Sequence, residues 1–204
     1  MSTHRLPTDT DNGLLLIISG PSGVGKTTVT RGVERSIPGA VFSVSATTRA
    51  RTPVDVEGVD YHFVDDSEFE RMKAAGEFLE SAGIYGKKYG TPIGPVDEQL
   101  RRGRLVILEI DVQGAIQVKK KMPRAFGIYI LPPSEEELLR RLRDRKREDE
   151  SKIMHRFNAA KQEIAQAKSC GVYDLFITND QLDNTIKQAV DRIAAERVKR
   201  AGKR

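Results

Sequence analysis

Tryptophan is absent from the 204 residues, and aromatic side chains account for only 6% of them. With so few stacking platforms, the chain is a poor candidate for a single-stranded nucleic-acid binder. An RNA-binding role for its basic surface remains an alternative, testable by a steep salt dependence of RNA affinity. One cysteine, Cys170, excludes an internal disulfide and fits a reducing compartment, where a packing role is expected for it. No apolar run approaches membrane-spanning length, and Met1 to Asn12 lacks the apolar segment of a signal peptide. The expectations are therefore no membrane partner, a cytoplasmic location and a polar leader over residues 1–12. His4, His62 and His155 lack metal-ligand spacing, so no zinc site is expected. The charge that is present leans positive: +5 net, with a pI near 9.3. That balance favours anionic ligands, and the phosphates of small nucleotides would account for it. Hydrophobic residues at 38% and charged residues at 31% describe a globular chain of one domain, or one core carrying inserted lobes.

The most informative stretch is Gly20-Pro21-Ser22-Gly23-Val24-Gly25-Lys26-Thr27, which fits G-x-x-x-x-G-K-[ST]. It follows the apolar run Leu14 to Ser19, read as a buried strand. It precedes Thr28 to Ile37, read as a helix stopped by Pro38-Gly39. A strand, a glycine loop and a helix form the context this motif requires. Glycines let successive N–H groups turn towards phosphate oxygens, and the helix N-terminus adds its positive end. Lys26 would reach the β- and γ-phosphates of ATP, Thr27 would place its hydroxyl on Mg²⁺, and Thr28 would close the cradle. A bare structural turn is the competing reading, disfavoured by the Lys-Thr pair in this context.

Along the chain, Ala40 to Ser45 reads as a second strand, and Ala46 to Gly58 as an exposed polar segment. Tyr61 to Val64 reads as a short strand, and Ser67 with Glu70 as a capping box opening a helix that Gly76 ends. Glu77 to Gly90 suggests a hairpin. Thr91-Pro92 reads as a helix start, and that helix should end at Gly103. Leu105 to Ile110 and Phe126 to Leu131 read as buried parallel strands, with a helix from Val112 to Met122 between them. Ser134 and Glu137 form another capping box, followed by helices to about Arg145 and from Glu150 to Ser169. Asp174 to Thr178 is a last strand, and a final amphipathic helix runs towards a basic tail, 199–204. Alternating strands and helices predict an α/β fold of the P-loop kind, with a parallel sheet core flanked by helices. A ligand should lie beyond the carboxyl ends of its strands, where the motif loop, Ser45, Asp111 and Asn179 all fall.

The insertion from 45 to 90 indicates a second substrate. Arg49, Arg51, Tyr61, Tyr85 and Tyr89 suit a phosphate dianion. Glu80 would repel phosphate, but it can accept from a base edge, and guanine presents adjacent N1–H and N2–H₂ donors. The segments Ser45-Ala46-Thr47-Thr48-Arg49, Asp60-Tyr61, Glu77-Phe78-Leu79-Glu80, Tyr89-Gly90-Thr91, Glu109 to Gly114 and Pro132-Pro133-Ser134 strongly resemble guanylate kinase, from about Leu14 to Val198. The resemblance implies ATP-dependent, Mg²⁺-dependent phosphorylation of GMP and dGMP in purine nucleotide metabolism. It assigns guanine to Ser45, Glu80, Thr91 and Asp111, and the GMP phosphate to Arg49, Tyr61 and Tyr89. It gives ATP phosphates to Arg145 and Arg156 and the adenine side to Asn179, for which a helix cap is an equal explanation. The implied organisation is a core over 13–44, 91–138 and 158–198, a GMP-binding lobe over 45–90 and a lid over 139–157.

Three departures from the family pattern stand out, one of them an altered acidic, glycine-containing turn in which Val54-Asp55 stands. The second phosphate arginine falls on Thr52, with Arg51 one residue earlier as its candidate substitute. The lid's Arg-Gly-Thr-Glu reads Arg145-Lys146-Arg147-Glu148. Asp111 is contested, since a generic P-loop reading makes it a Mg²⁺ ligand. The family reading gives it to guanine and leaves Glu109 nearer the metal, through water. Two further alternatives are a non-catalytic guanylate-kinase-like binding module, which the intact Gly25-Lys26-Thr27 opposes, and a nucleoside monophosphate kinase of other base specificity. Arg140 and Lys119 to Lys121 read as solvated surface, and Tyr85 as packing.

Overall fold

The computed structural model describes residues 13–84, 86–144 and 149–202. Its elements are β1 (Leu14–Ser19), α1 (Lys26–Ser36), β2 (Val41–Phe42), β3 (Ala46–Thr47), β4 (His62–Phe63), α2 (Asp66–Ala74), β5 (Phe78–Ile84) and β6 (Lys87–Pro92). They continue with α3 (Ile93–Arg101), β7 (Leu105–Glu109), α4 (Val112–Lys121), β8 (Phe126–Leu131), α5 (Glu135–Asp144), α6 (Glu150–Ser169), β9 (Leu175–Thr178) and α7 (Leu182–Ala201).

Five strands form a parallel sheet in the order β2-β7-β1-β8-β9. Its strands read as continuous apolar runs because both faces are covered. On β1, Leu14, Leu16 and Ile18 pack with Val29 and Val33 of α1 and Ala189 and Ile193 of α7. The intervening Leu15 and Ile17 pack on the other face with Val96 of α3 and Ala115 and Val118 of α4. The period-2 geometry of a strand thus divides one run between two cores. The chain leaves β1 for β2 and β7 on one side, then returns to β8 and β9 on the other. The order reverses at β1, and a crevice opens there at the carboxyl ends.

A second, four-stranded sheet has the order β4-β3-β6-β5. Phe69 of α2 and Phe78 of β5 seal it, their ring centroids 4.7 Å apart. α4 ties this sheet to the first. The Gln117 side chain accepts from Ser81 N at 3.2 Å and donates to Ser81 O at 3.0 Å, and Lys121 Nζ donates to Phe78 O at 2.6 Å.

Several local expectations need correction. The strand expected over 40–45 is shorter, with only Val41–Phe42 pairing, to β7, whereas Ala46–Thr47, expected in an exposed polar segment, is a buried strand that pairs with β4 and β6 in the other sheet. α2 is capped by Asp65, whose carboxylate accepts from Glu68 N at 2.7 Å, rather than by Ser67. Thr91-Pro92 does not open a helix but ends β6, and α3 begins at Ile93 without a side-chain cap. The Thr91 hydroxyl bonds Glu80 instead, and that bond removes it from capping. The Ser134 cap is present, with Glu137 N donating to Ser134 Oγ at 3.1 Å.

Candidate functional site

The loop Gly20 to Gly25 connects β1 to α1 at the point where strand order reverses. Gly23 and Gly25 have φ of 87° and 89°, a region side chains disfavour. Space excludes larger residues as well: a Cβ on Gly25 would stand 2.9 Å from Asn179 Nδ2, and one on Gly23 2.8 Å from Leu142 Cδ2. Lys26 is the first helical residue, and its Nζ donates to Gly20 O at 3.0 Å, so the ammonium arches back over the loop. Ser22 Oγ accepts from Arg156 Nη2, which brings α6 to the loop. Pro21 and Val24 are buried beneath it, while Thr27 and Thr28 lie exposed at the start of α1.

Thr27 Oγ1 donates to Glu109 Oε1 at 2.6 Å, at the carboxyl end of β7. A hydroxyl and a carboxylate are the hard oxygen donors that Mg²⁺ takes. Among the described residues no group of three His, Cys, Asp or Glu could hold a metal ion. A cation at this pair would therefore complete its shell with phosphate oxygens and water, as Mg²⁺ commonly does.

Asn179 is buried, and its position corrects the helix-cap reading. The cap residue of α7 is Gln181, which makes no side-chain cap bond. Asn179 Nδ2 donates to Val24 O at 2.8 Å, and its Oδ1 accepts from Thr185 Oγ1 at 3.1 Å. The side chain props the loop from below, using its amide on protein groups. Arg141, which sequence reasoning left inside a charge run, joins it by donating to Asn179 O at 3.1 Å and to Val24 O at 3.4 Å. Arg140, by contrast, pairs at the surface with Glu137 and Asp144, as expected. Asn179→Ala would leave the Val24 carbonyl without its buried side-chain donor, a loss of about 1–3 kcal/mol. Thermal melting should then fall by about 2–12 °C in a chain of this size; an unchanged melt would contradict the strut.

Across the cleft, Glu80 of β5 is only 5% exposed. Its Oε1 accepts from Thr91 Oγ1 at 2.6 Å. A Cβ on Gly114 would come within 2.8 Å of Glu80 Oε2, so the glycine at the start of α4 makes room for the carboxylate. Burial, and after it the nearby Asp111 charge, push the Glu80 carboxyl up to about 7 against the pull of the Thr91 bond. Asp111 caps α4, its Oδ1 accepting from Gly114 N at 2.7 Å. Ser45 is half-buried where the chain crosses between the sheets, and its carbonyl accepts from His62 N at 2.9 Å. Glu163 of α6 was missed by sequence reasoning, because it belongs to no motif. Burial raises its carboxyl, the Lys26 charge lowers it and the Asp111 charge raises it again.

Arg49 lies over the rings of Tyr61 and Phe63, at 5.2 and 5.5 Å from their centroids. Tyr61 and Tyr89 meet edge to face at 5.8 Å. Arg51 is exposed, and its Nε donates to Asp55 O at 3.0 Å. Arg145 and Tyr85 lie outside the described residues, as do the leader 1–12, Lys146 and Arg147, and the last two residues of the tail.

A phosphate loop at the switch point of a parallel sheet, joined through α4 to a small sheet that buries a carboxylate, defines the class: an α/β P-loop protein built like a small kinase. The family model described as guanylate kinase matches residues 12–196. The chain belongs to the guanylate kinase family. It is similar to the guanylate kinase of Carboxydothermus hydrogenoformans, 44% identical over 187 residues, covering 92% of this chain and 90% of that one. The guanylate kinase of Synechococcus elongatus is 47% identical over 174 residues, covering 85% and 93%. Among solved structures, guanylate kinase from Anaplasma phagocytophilum superposes with a TM-score of 0.73 at 34% identity, over 92% of this chain and 87% of that one. A gluconokinase from Sinorhizobium meliloti, with a TM-score of 0.51 at 15% identity over 89% and 92%, shares the fold alone.

Proposed function

We propose that this chain transfers the γ-phosphoryl group of ATP to GMP, and to dGMP, giving ADP and the corresponding diphosphate. One observation carries the reading: a carboxylate, Glu80, is buried with room kept for it and lies across the cleft from an intact phosphate loop. Such a group suits neighbouring N–H donors on a base edge, and guanine has them where adenine does not. Thr91 orients Glu80, while Asp111 and Ser45 complete the guanine contacts at the mouth of α4, within a GMP-binding lobe over 45–90. Arg49, Tyr61 and Tyr89 hold the GMP phosphate. The loop N–H groups, Lys26 and the exposed hydroxyls of Thr27 and Thr28 hold the triphosphate, and Arg156 and Arg145 close over it from a lid at 139–157. Thr27, with Glu109 through water, would hold Mg²⁺, which neutralises phosphate charge when bound.

The chemistry asks little of the protein beyond alignment and charge. An oxygen of the GMP phosphate forms the new bond to the γ-phosphorus as the bond to the bridging oxygen of ADP breaks. No general base is needed, because a phosphate monoester is largely ionised near neutral pH. Lys26 and the arginines stabilise the equatorial oxygens and keep water out, limiting hydrolysis. A cytoplasmic role in purine nucleotide metabolism follows from these substrates. No helix among the described residues is long and apolar enough to cross a membrane. The test is a coupled ADP-release assay with ATP against GMP, dGMP, AMP, UMP and TMP. Turnover confined to the guanine nucleotides is expected; equal turnover of AMP would overturn the reading.

A further inference from the structure

The family's second phosphate arginine is Thr52 in this chain, and the structure shows what that threonine does. Thr52 N and Oγ1 both donate to Asp55 Oδ2, at 2.7 and 2.6 Å, and Asp55 N donates back to Thr52 O at 3.1 Å. The closed turn presents both carboxylate oxygens to Arg49: Nη1 donates to Oδ2 at 3.0 Å and Nη2 to Oδ1 at 2.9 Å. The other Nη1 hydrogen lies on Ala50 O at 3.2 Å. Arg51 braces the same turn through its bond to the Asp55 carbonyl.

Asp55 therefore takes the far end of the guanidinium fork, and the rings of Tyr61 and Phe63 lie against Arg49 as well. The remaining edge, Nε–H with the outer Nη2–H, takes no partner among the described residues, and the Arg49 side chain keeps 27% exposure. That edge has the spacing for two parallel bonds to one phosphate. Asp55 is not a rival for the phosphate's place, because a dianion can dock on the open edge while the carboxylate stays where it is.

We propose that Asp55, anchored by Thr52, is a positioning residue: it clamps Arg49 so that this arginine presents one pre-set edge to the acceptor phosphate. The proposal rests on the GMP-kinase reading above. A guanidinium already held costs less ordering on binding, so the clamp acts on affinity for the phosphate and little on the rate once the phosphate is in place.

The test compares unmodified protein with Asp55→Asn, Asp55→Glu and Thr52→Val, using steady-state kinetics and calorimetry with GMP and with guanosine. Asp55→Asn should raise the GMP KM about tenfold while kcat at saturation falls less than threefold. Thr52→Val should shift KM in the same direction by less, and Asp55→Glu should recover part of the loss. Guanosine, which has no phosphate, should bind the unmodified protein and Asp55→Asn alike. An equal loss of guanosine and GMP affinity in Asp55→Asn would make the residue merely structural, and a lower GMP KM would make it a competitor; either result overturns the clamp. Failure of the guanylate kinase reading would show separately, as unmodified protein indifferent to GMP.

Discussion

Lys26→Ala is expected to lower kcat by about 10³-fold or more, equivalent to roughly 4 kcal/mol of transition-state stabilisation. The ammonium is the one loop side chain that carries a full positive charge, and it sits at the first residue of α1, where the helix adds its own positive end. Its bond to the Gly20 carbonyl at 3.0 Å holds it over the cradle before any phosphate arrives, so little reorganisation is needed during reaction. Charge develops on the bridging oxygen of ADP as its bond to the γ-phosphorus loosens, and Lys26 lies where it meets the β- and γ-phosphates, so the lost interaction weighs more on kcat than on the KM for ATP. The fold should tolerate the change, because the loop is supported from below by Asn179 and Arg141 rather than by Lys26. Rapid-quench single turnover at saturating ATP and GMP, with a melting curve as control, provides the measurement. A rate within tenfold of the unmodified protein would remove Lys26 from the chemistry.

The phosphate loop was legible because its backbone imposes residue types: Gly23 and Gly25 occupy left-handed φ, and Gly25 has Asn179 against it. The apolar strands were legible for a related reason, since burial on both faces leaves Leu14 to Ile18 of β1 without a polar position. What covers or continues an element is a tertiary matter that the local pattern does not carry. The run 40–45 has strand character throughout, yet only Val41–Phe42 pairs, and the polar look of the segment after it hid that Ala46–Thr47 is a buried strand of the other sheet. Asp65 displaced Ser67 as a cap, and Thr91 was drawn from helix capping to a buried carboxylate. Asn179, Arg141 and Asp55 act through other residues, Asn179 and Arg141 on a loop carbonyl and Asp55 on a guanidinium. No spacing rule points to such roles, and Glu163 was invisible for the same reason.

Glu80→Gln should raise the KM for GMP by about 10²-fold, near 3 kcal/mol, because one carboxylate oxygen becomes an NH₂ facing the donors of guanine. Affinity for ATP should be little changed, since Glu80 touches β6 and α4 and not the phosphate loop. The pH dependence separates this role from simple packing. Burial lifts the Glu80 carboxyl to about 7 from its ordinary 4.5, so the folded protein keeps a proton that the unfolded chain gives up. A carboxyl raised in this way contributes stability below about 4.5, and that contribution is lost as pH rises towards 7. Glutamine stays neutral throughout, so Glu80→Gln should lose less stability across the same window. For binding the sign is opposite: only the ionised carboxylate accepts from both N1–H and N2–H₂, so the GMP KM of the unmodified protein should fall as pH rises through about 7. In Glu80→Gln that dependence should flatten. The checks are GMP titrations and melting curves between pH 5.5 and 8.5, with AMP as comparator. If Glu80→Gln kept its GMP KM within threefold and the unmodified protein showed a flat profile, guanine would have to be read by other residues, and the distinction between GMP and AMP would lose its physical basis.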